Sequence, residues 1–146
     1  MMTRDDALEF AAVWIEAWNR RDIERVLAAF DDDIEFASPT ALVTIGVATV
    51  HGKQELRSYW QAALARVASL RFALDRALWD PESRELAIIY VSEVNGAQKW
   101  VSENFRFDTN GKVRAVDVFH GVAQQPDPVL QLSADRSTSG RSDGRG

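Results

Sequence analysis

The sequence of 146 residues contains no cysteine, so neither a disulfide bond nor thiolate chemistry is available to it. No apolar run approaches the roughly 20 residues that span a bilayer, and the acidic N-terminus differs from a signal peptide. Glycine-rich phosphate loops, zinc-ligand spacings and nucleophile elbows are also missing. We therefore expect a cytoplasmic protein that contacts no membrane and uses neither a cofactor nor a metal ion.

Positive charge is in the minority. The chain has 17 Lys and Arg residues against 22 Asp and Glu residues, which gives a net charge of −5. An acidic chain without a basic face is a poor partner for nucleic acid or for an anionic membrane. The run Asp31-Asp32-Asp33 has no spaced His or Glu beside it, and we interpret it as a solvated helix exit rather than a metal site.

Helical periodicity dominates the first half of the chain. Thr3 and Asp22 are suited to cap two successive amphipathic helices, and Gly52 precedes a third. All three helices carry large aromatic side chains on their apolar stripes. Three N-terminal helices that lean over a sheet are therefore predicted.

The segment between the second and third helices is harder to interpret. Phe30 completes the apolar stripe of the second helix, and residues 34–36 are typical of a short strand. Ser38-Pro39 ends that strand. Residues 40–51 are rich in Val, Thr, Ala and Gly, and we predict a loop with some extended structure there.

After about residue 70 the period of the apolar pattern changes to two, which is typical of strands. Asn95-Gly96 and Asn110-Gly111 are hairpin signals that join them. The class is therefore α+β, with three helices packed on a curved antiparallel sheet. We expect one domain over residues 1–123 and a neutral, disordered tail over 124–146, where apolar residues become scarce. The predicted strands lie near 70–79, 84–94, 98–108 and 112–122.

Three segments together resemble the nuclear-transport-factor-two-like superfamily, also called SnoaL-like. They read WNRRDIERVLAAFDDDIEFASP, HGKQELRSYW and ENFRFDTNGKVRAVDVFHG. The resemblance implies a cystatin-like cone in which helices close a pocket over the sheet, commonly as a homodimer. This fold hosts isomerases, cyclases, dehydratases, epoxide hydrolases and non-catalytic partners, so it does not by itself imply a reaction.

Within the superfamily the second half of the chain is most similar to the ketosteroid isomerases. The resemblance places Glu103 where those enzymes have the acid of the oxyanion hole, and Ser38 where they have the general base. Trp14 falls on their helix-one tyrosine, and Phe30 and Trp60 fall on two supporting tyrosines. Apolar side chains thus replace a hydroxyl network, and a serine alone cannot act as the base because its pKa is far too high.

Glu103 is the first candidate for chemistry. It shares one face of its strand with Val101, Phe105 and Phe107, so that face is expected to point inward. A carboxyl among aromatic side chains should have a raised pKa, which suits proton transfer near neutral pH. The structural alternative is a carboxylate held by an Arg or Trp partner.

His120 is the second candidate. The resemblance puts the face of Val116, Val118 and His120 toward the helices, with His120 near the mouth of the cone. An imidazole there could exchange protons near neutrality, and a solvent-facing histidine at a strand end is the alternative.

Three inward tryptophans exceed what a small core needs, so we predict that they form a cavity wall for a flat apolar ligand. Trp100 and Phe119 are expected on the outer sheet face, where they would mediate a homodimer. The register of strand 84–94 stays open, and with it the orientation of Tyr90, Ser92 and Glu93. The predicted pocket residues are Trp14, Trp18, Phe30, Phe36, Ser38, Trp60, Phe105, Val116 and Val118.

Two functions remain open at this point. One is cofactor-free proton transfer on an apolar cyclic or aromatic ligand, of the isomerase, cyclase or dehydratase type, in which Glu103 acts as acid and His120 as base. The other is a non-catalytic ligand-binding or dimerisation domain of the same fold. The loss of a carboxylate at Ser38 favours the second, and the inward Glu103 favours the first.

Overall fold

The structure, a computed structural model, describes residues 2–123, and the predicted tail over 124–146 lies outside the described residues. The described part consists of four helices and six strands. In chain order they are α1 (Arg4–Asn19), α2 (Ile23–Ala28), β1 (Phe30–Ala37), α3 (Pro39–Ile45), β2 (Thr49–His51), α4 (Lys53–Ala65), β3 (Leu70–Asp80), β4 (Glu85–Val94), β5 (Ala97–Phe107) and β6 (Val113–Ala123).

The predicted helix starts are confirmed. Thr3 and Asp6 form a reciprocal capping box at the start of α1, which satisfies two main-chain donors. Asp22 accepts a hydrogen bond from the main-chain N–H of Arg25 and so caps α2. Gly52 precedes α4 with φ of +88°, a conformation that favours glycine.

The prediction for residues 40–51 was wrong in part. Residues Pro39–Ile45 form helix α3, and only Thr49–His51 are extended, as strand β2. The Ser38 side chain accepts from the N–H of Thr40, Pro39 occupies the first turn, and Gly46 ends the helix at φ of +79°. These start and stop signals outweigh the extended preference of the β-branched residues between them. The described residues therefore contain four helices rather than three.

The second helix is also shorter than predicted. It ends at Ala28, and Phe30 begins β1, so Asp31-Asp32-Asp33 lies in a strand and not at a helix exit. Phe30 pairs with Val113 of β6, where its side chain is buried.

The sheet is mixed rather than purely antiparallel, because β1 runs parallel to β6. The strand order is β2-β1-β6-β5-β4-β3, and every other neighbouring pair is antiparallel. The predicted hairpin at Asn95-Gly96 is confirmed, with both residues at positive φ. The β5–β6 turn likewise places Gly111 at φ of +81°.

Helix α1 covers the inner face of the sheet and ends at an outer strand. The side-chain amide of Asn19 donates to the carbonyl of Phe72 at 2.9 Å, and the N–H of Phe72 donates to Asn19 Oδ1 at 2.7 Å. Phe72 belongs to β3, the last strand in the order, so Asn19 occupies its open edge. None of the helices within residues 2–123 combines the length and apolarity that crossing a bilayer requires.

Candidate functional site

A cavity of about 410 Å³ lies between the inner face of the sheet and helices α1 and α4. This volume falls in the range of small-molecule sites. Helix α4 contributes Tyr59, Trp60 and Ala63, and Trp18 comes from α1. Strands β3 to β6 supply the opposite wall, because alternate side chains of each strand point to the same face. The wall is largely apolar, with a few convergent polar groups.

Glu103 and Tyr90 form a buried polar pair in this wall. Tyr90 pairs with Val101 across the β4–β5 ladder, so Tyr90 and Glu103 are diagonal neighbours on the inner face. The Tyr90 hydroxyl donates to Glu103 Oε1 at 2.6 Å, the short distance expected of a charge-assisted bond. Glu103 Oε2 has no hydrogen-bond partner within residues 2–123 and can therefore engage a ligand.

Burial controls the ionisation of both groups. Removal from water raises the pKa of Glu103 to about 7, although the Tyr90 hydrogen bond opposes part of the rise. Burial and the neighbouring Glu103 carboxylate raise the pKa of the Tyr90 phenol well above its ordinary value. Tyr90 thus stays a donor, while Glu103 is divided between its acid and carboxylate forms near neutral pH.

His120 lines the same cavity as Glu103, on the next strand. His120 pairs with Val101, while Glu103 pairs with Val118. The two candidates are therefore diagonal neighbours, whose Cα atoms are about 7–8 Å apart. Lys99 Nζ lies 3.2 Å from His120 Nδ1. Burial lowers the pKa of His120, and the charge of Lys99 lowers it further. As an ammonium Lys99 can only donate, so Nδ1 accepts and Nε2 carries the hydrogen of the neutral ring.

Lys99 is a cavity residue that the sequence analysis missed. The signal was present, because the inner-face pattern of Val101 and Glu103 extends back by two residues to Lys99. Burial lowers the pKa of this side chain. The mouth of the cavity thus carries an ammonium group beside His120.

Ser38 lines the cavity, but its hydroxyl caps the start of helix α3. It accepts from Thr40 N–H at 3.2 Å as the cap of α3, and the side chain is buried. Glu103 is the one carboxyl group among the described residues that line the cavity. The other predicted pocket residues in the lining are Trp18, Phe36, Trp60 and Val118.

Four predicted pocket residues lie in the core instead and are absent from the cavity lining. Trp14 packs edge-on against Tyr90, at 5.4 Å between ring centroids, and so supports the wall from outside the cavity. Phe30 packs against Trp60 in the same way at 5.9 Å. A buried aromatic can face the core or the cavity, and helical spacing alone does not separate the two. The four are Trp14, Phe30, Phe105 and Val116.

The register of β4 determines which of its polar residues face the ligand space. Tyr90 and Ser92 are buried and line the cavity, whereas Glu93 lies outside the lining and accepts from the Gln98 side chain at 3.2 Å.

On the outer face Phe119 is 61% exposed and Trp100 is half-buried. Within residues 2–123 no three His, Asp or Glu side chains are close enough together to hold a metal ion.

Residues 11–123 match the profile of the SnoaL-like domain, and the chain belongs to that family. No curated protein matches it. A SnoaL-like protein of unknown function from Burkholderia thailandensis is 26% identical with a TM-score of 0.75, over 83% of this chain and 98% of that one.

Two other similar structures share the fold at 16% identity. The epoxide hydrolase/cyclase-like enzyme SalBIII, which acts in pyran ring formation in the polyether salinomycin, has a TM-score of 0.66 over 84% of this chain and 95% of its own. A candidate ketosteroid isomerase from Kribbella flavida has a TM-score of 0.63 over 84% and 82%. The six-stranded mixed sheet and helices are thus those of the nuclear-transport-factor-two-like cone.

Proposed function

We propose that this protein binds a small apolar cyclic or aromatic ligand in the cavity and catalyses cofactor-free proton transfer on it. The observation that carries the proposal is the buried Tyr90–Glu103 pair, with its 2.6 Å hydrogen bond in the wall of an apolar cavity. A carboxyl group with a pKa of about 7 can both take and return a proton near neutral pH. Structural neighbours that include a cyclase-like enzyme and a candidate isomerase are consistent with such chemistry.

In the proposed step Glu103 is ionised, and Tyr90 holds its Oε1. The free oxygen takes a proton from a carbon next to a ligand carbonyl, and the C–H electron pair moves into an enolate. Where a carbon–carbon double bond adjoins that carbon, the enolate is conjugated with it, and return of the same proton to the far carbon of the double bond isomerises the ligand and restores the carboxylate. The wall of the cavity is largely apolar, so the charges involved are screened less than in bulk water and act more strongly.

The bond to Lys99 changes the role that we assign to His120. With Nδ1 accepting from Lys99, the lone pair of His120 is occupied, and its Nε2–H is a donor. We therefore assign the proton-transfer role to Glu103 and a hydrogen-bonding role at the enolate oxygen to His120. This is the reverse of the assignment that the sequence favours.

Hydrogen–deuterium exchange in D2O tests the proposal on a panel of ligands. Cyclic and aromatic ketones are incubated with the protein, and loss of the α-proton signal is followed by NMR. We expect exchange of at least one ketone to rise with pH through about 7, where the carboxylate forms. Glu103→Gln should abolish it, while Glu93→Gln, which changes a carboxyl on the other face of the sheet, should leave it intact. Exchange that survives in Glu103→Gln would refute the assignment.

The alternative function is non-catalytic ligand binding. It is favoured by the Ser38 hydroxyl, which caps α3 at a position where the isomerases carry a base. The same experiment separates the two functions. Ketones that raise the melting temperature of the protein but undergo no exchange would establish binding without catalysis.

A further inference from the structure

Lys99 differs from the other two lysines of the chain. Lys53 donates to the carbonyl of Phe30 at 3.3 Å, and Lys112 donates to that of Ala28 at 2.8 Å. Among residues 2–123, the only hydrogen bond of the Lys99 side chain is to the ring of His120, and no carboxylate lies within ion-pairing distance of it. It is partly buried at the cavity, where water compensates its charge less than at the surface.

Lys99 and Glu103 lie apart along the wall of the cavity, with His120 beside Lys99 on the neighbouring strand. Lys99 and Glu103 occupy the same face of β5 four residues apart, which separates their Cα atoms by about 14 Å. Val101 lies between them on the same face of β5, and the apolar part of the lining also includes Phe72 and Trp18. A ligand of two or three rings that fills this space would place one end at each polar group.

We propose that Lys99 binds the carboxylate of a cyclic or aromatic carboxylic acid, whose rings enter the cavity toward Glu103. This inference rests on the proposed function for the cavity and names the substrate class. The Lys99 ammonium donates one hydrogen to the neutral imidazole of His120 and keeps two for the carboxylate, while the Nε2–H of His120 remains available to the enolate oxygen. A carboxylate accepts several such bonds, and charge-assisted ones are the strongest available.

The orientation also follows from charge. A carboxylate placed beside Glu103 would meet a second carboxylate, and two such groups among apolar side chains repel each other. At the mouth it meets the positive charge of Lys99 instead. Burial lowers the pKa of Lys99, and a bound anion would reverse that shift by favouring the ammonium.

Matched acid and amide ligands test the inference by calorimetry. Naphthylacetic acid is compared with naphthylacetamide, and the biphenyl and cyclohexyl acetic acids are compared with their amides in the same way. Each acid and its amide have nearly the same shape but differ in charge. In the wild-type protein at least one acid should bind about tenfold more tightly than its amide. Lys99→Met should remove that preference while amide binding is kept, and Lys99→Arg should retain it. Arg114→Gln, which removes an exposed positive charge, is the control.

The outcomes separate this inference from the proposed function. Amides and neutral ketones that bind as well as the acids, or a Lys99→Met variant that keeps the preference, would overturn the carboxylate assignment and leave proton transfer at Glu103 standing. Failure of every acid to bind would overturn it as well. A loss of amide binding in Lys99→Met would show that Lys99 supports the shape of the cavity rather than binding the charge of the ligand, and it would also overturn the assignment. Circular dichroism confirms that each variant is folded.

Discussion

Replacement of Glu103 by Gln should stabilise the protein at alkaline pH far more than at acidic pH. Glu103 has a raised pKa in the folded state, so the folded protein favours the neutral acid and the unfolded chain favours the carboxylate. Between the two pKa values the folded state therefore binds more protons, and stability falls as the pH rises through that window. A glutamine is neutral throughout and keeps the shape of the acid, so it escapes this loss.

The magnitude follows from the two pKa values, the ordinary 4.5 and the folded-state value of about 7. Each unit of difference corresponds to roughly 1.4 kcal/mol. Integration between pH 5 and pH 8 gives a loss of about 2 to 3 kcal/mol from this one group, most of it between pH 5 and pH 7. The difference in unfolding free energy between Glu103→Gln and wild type should grow by about that amount over the same interval. Other titrating groups cancel, because both proteins contain them.

Urea unfolding followed by tryptophan fluorescence at pH 5, 6, 7 and 8 would measure this difference. Glu93→Gln is the matched control and should not reproduce the pH dependence, because its side chain lies outside the cavity. Carbon-13 NMR of the Glu103 carboxyl would give the midpoint directly. A midpoint near 4.5, or a stability difference that is constant with pH, would refute the argument that burial dominates this group.

Three further outcomes are expected. Tyr90→Phe should move the titration midpoint of Glu103 upward, because this variant lacks the hydrogen bond from Tyr90 that stabilises the carboxylate. An unchanged midpoint in the NMR titration would contradict this. Ser38→Ala should lower the unfolding free energy by about 1 kcal/mol through loss of the α3 cap, and Ser38→Asp should retain most of it, so equal denaturation curves for all three would argue against the cap. We propose that the outer face with Phe119 mediates a homodimer, so Phe119→Lys should shift the mass in analytical ultracentrifugation toward the monomer, and a wild-type monomer would refute it.

The elements with strong local signals could be predicted from the sequence. The caps at Thr3 and Asp22 and the hairpin at Asn95-Gly96 depend on side chains within a few residues, and all three were found. The inward face of β5 was also predictable, because Val101 and Phe105 alternate with polar residues around Glu103. Local patterns thus located the carboxyl group on which the proposed function depends.

The remaining features depend on contacts distant in sequence. Phe30 fits a helical stripe equally well, and only its pairing with Val113 places it in a strand. Tyr90 lies on a strand with apolar residues on both faces, so its direction follows from the ladder opposite Val101. Trp14 was predicted to line the cavity but lies in the core. The prediction failed because the size of a side chain does not show whether its ring packs in the core or faces the cavity.

The contact between Asn19 and Phe72 has a consequence for how these molecules behave beside one another. A side-chain amide presents one donor and one acceptor, much as the main chain of an adjoining strand would, and it satisfies both groups of Phe72. Bare sheet margins invite extended segments of other molecules to add on, which is a common route to fibrils. At Phe72 the main-chain groups of this edge are already paired within the same chain, so a strand of another molecule cannot pair with β3 at that residue.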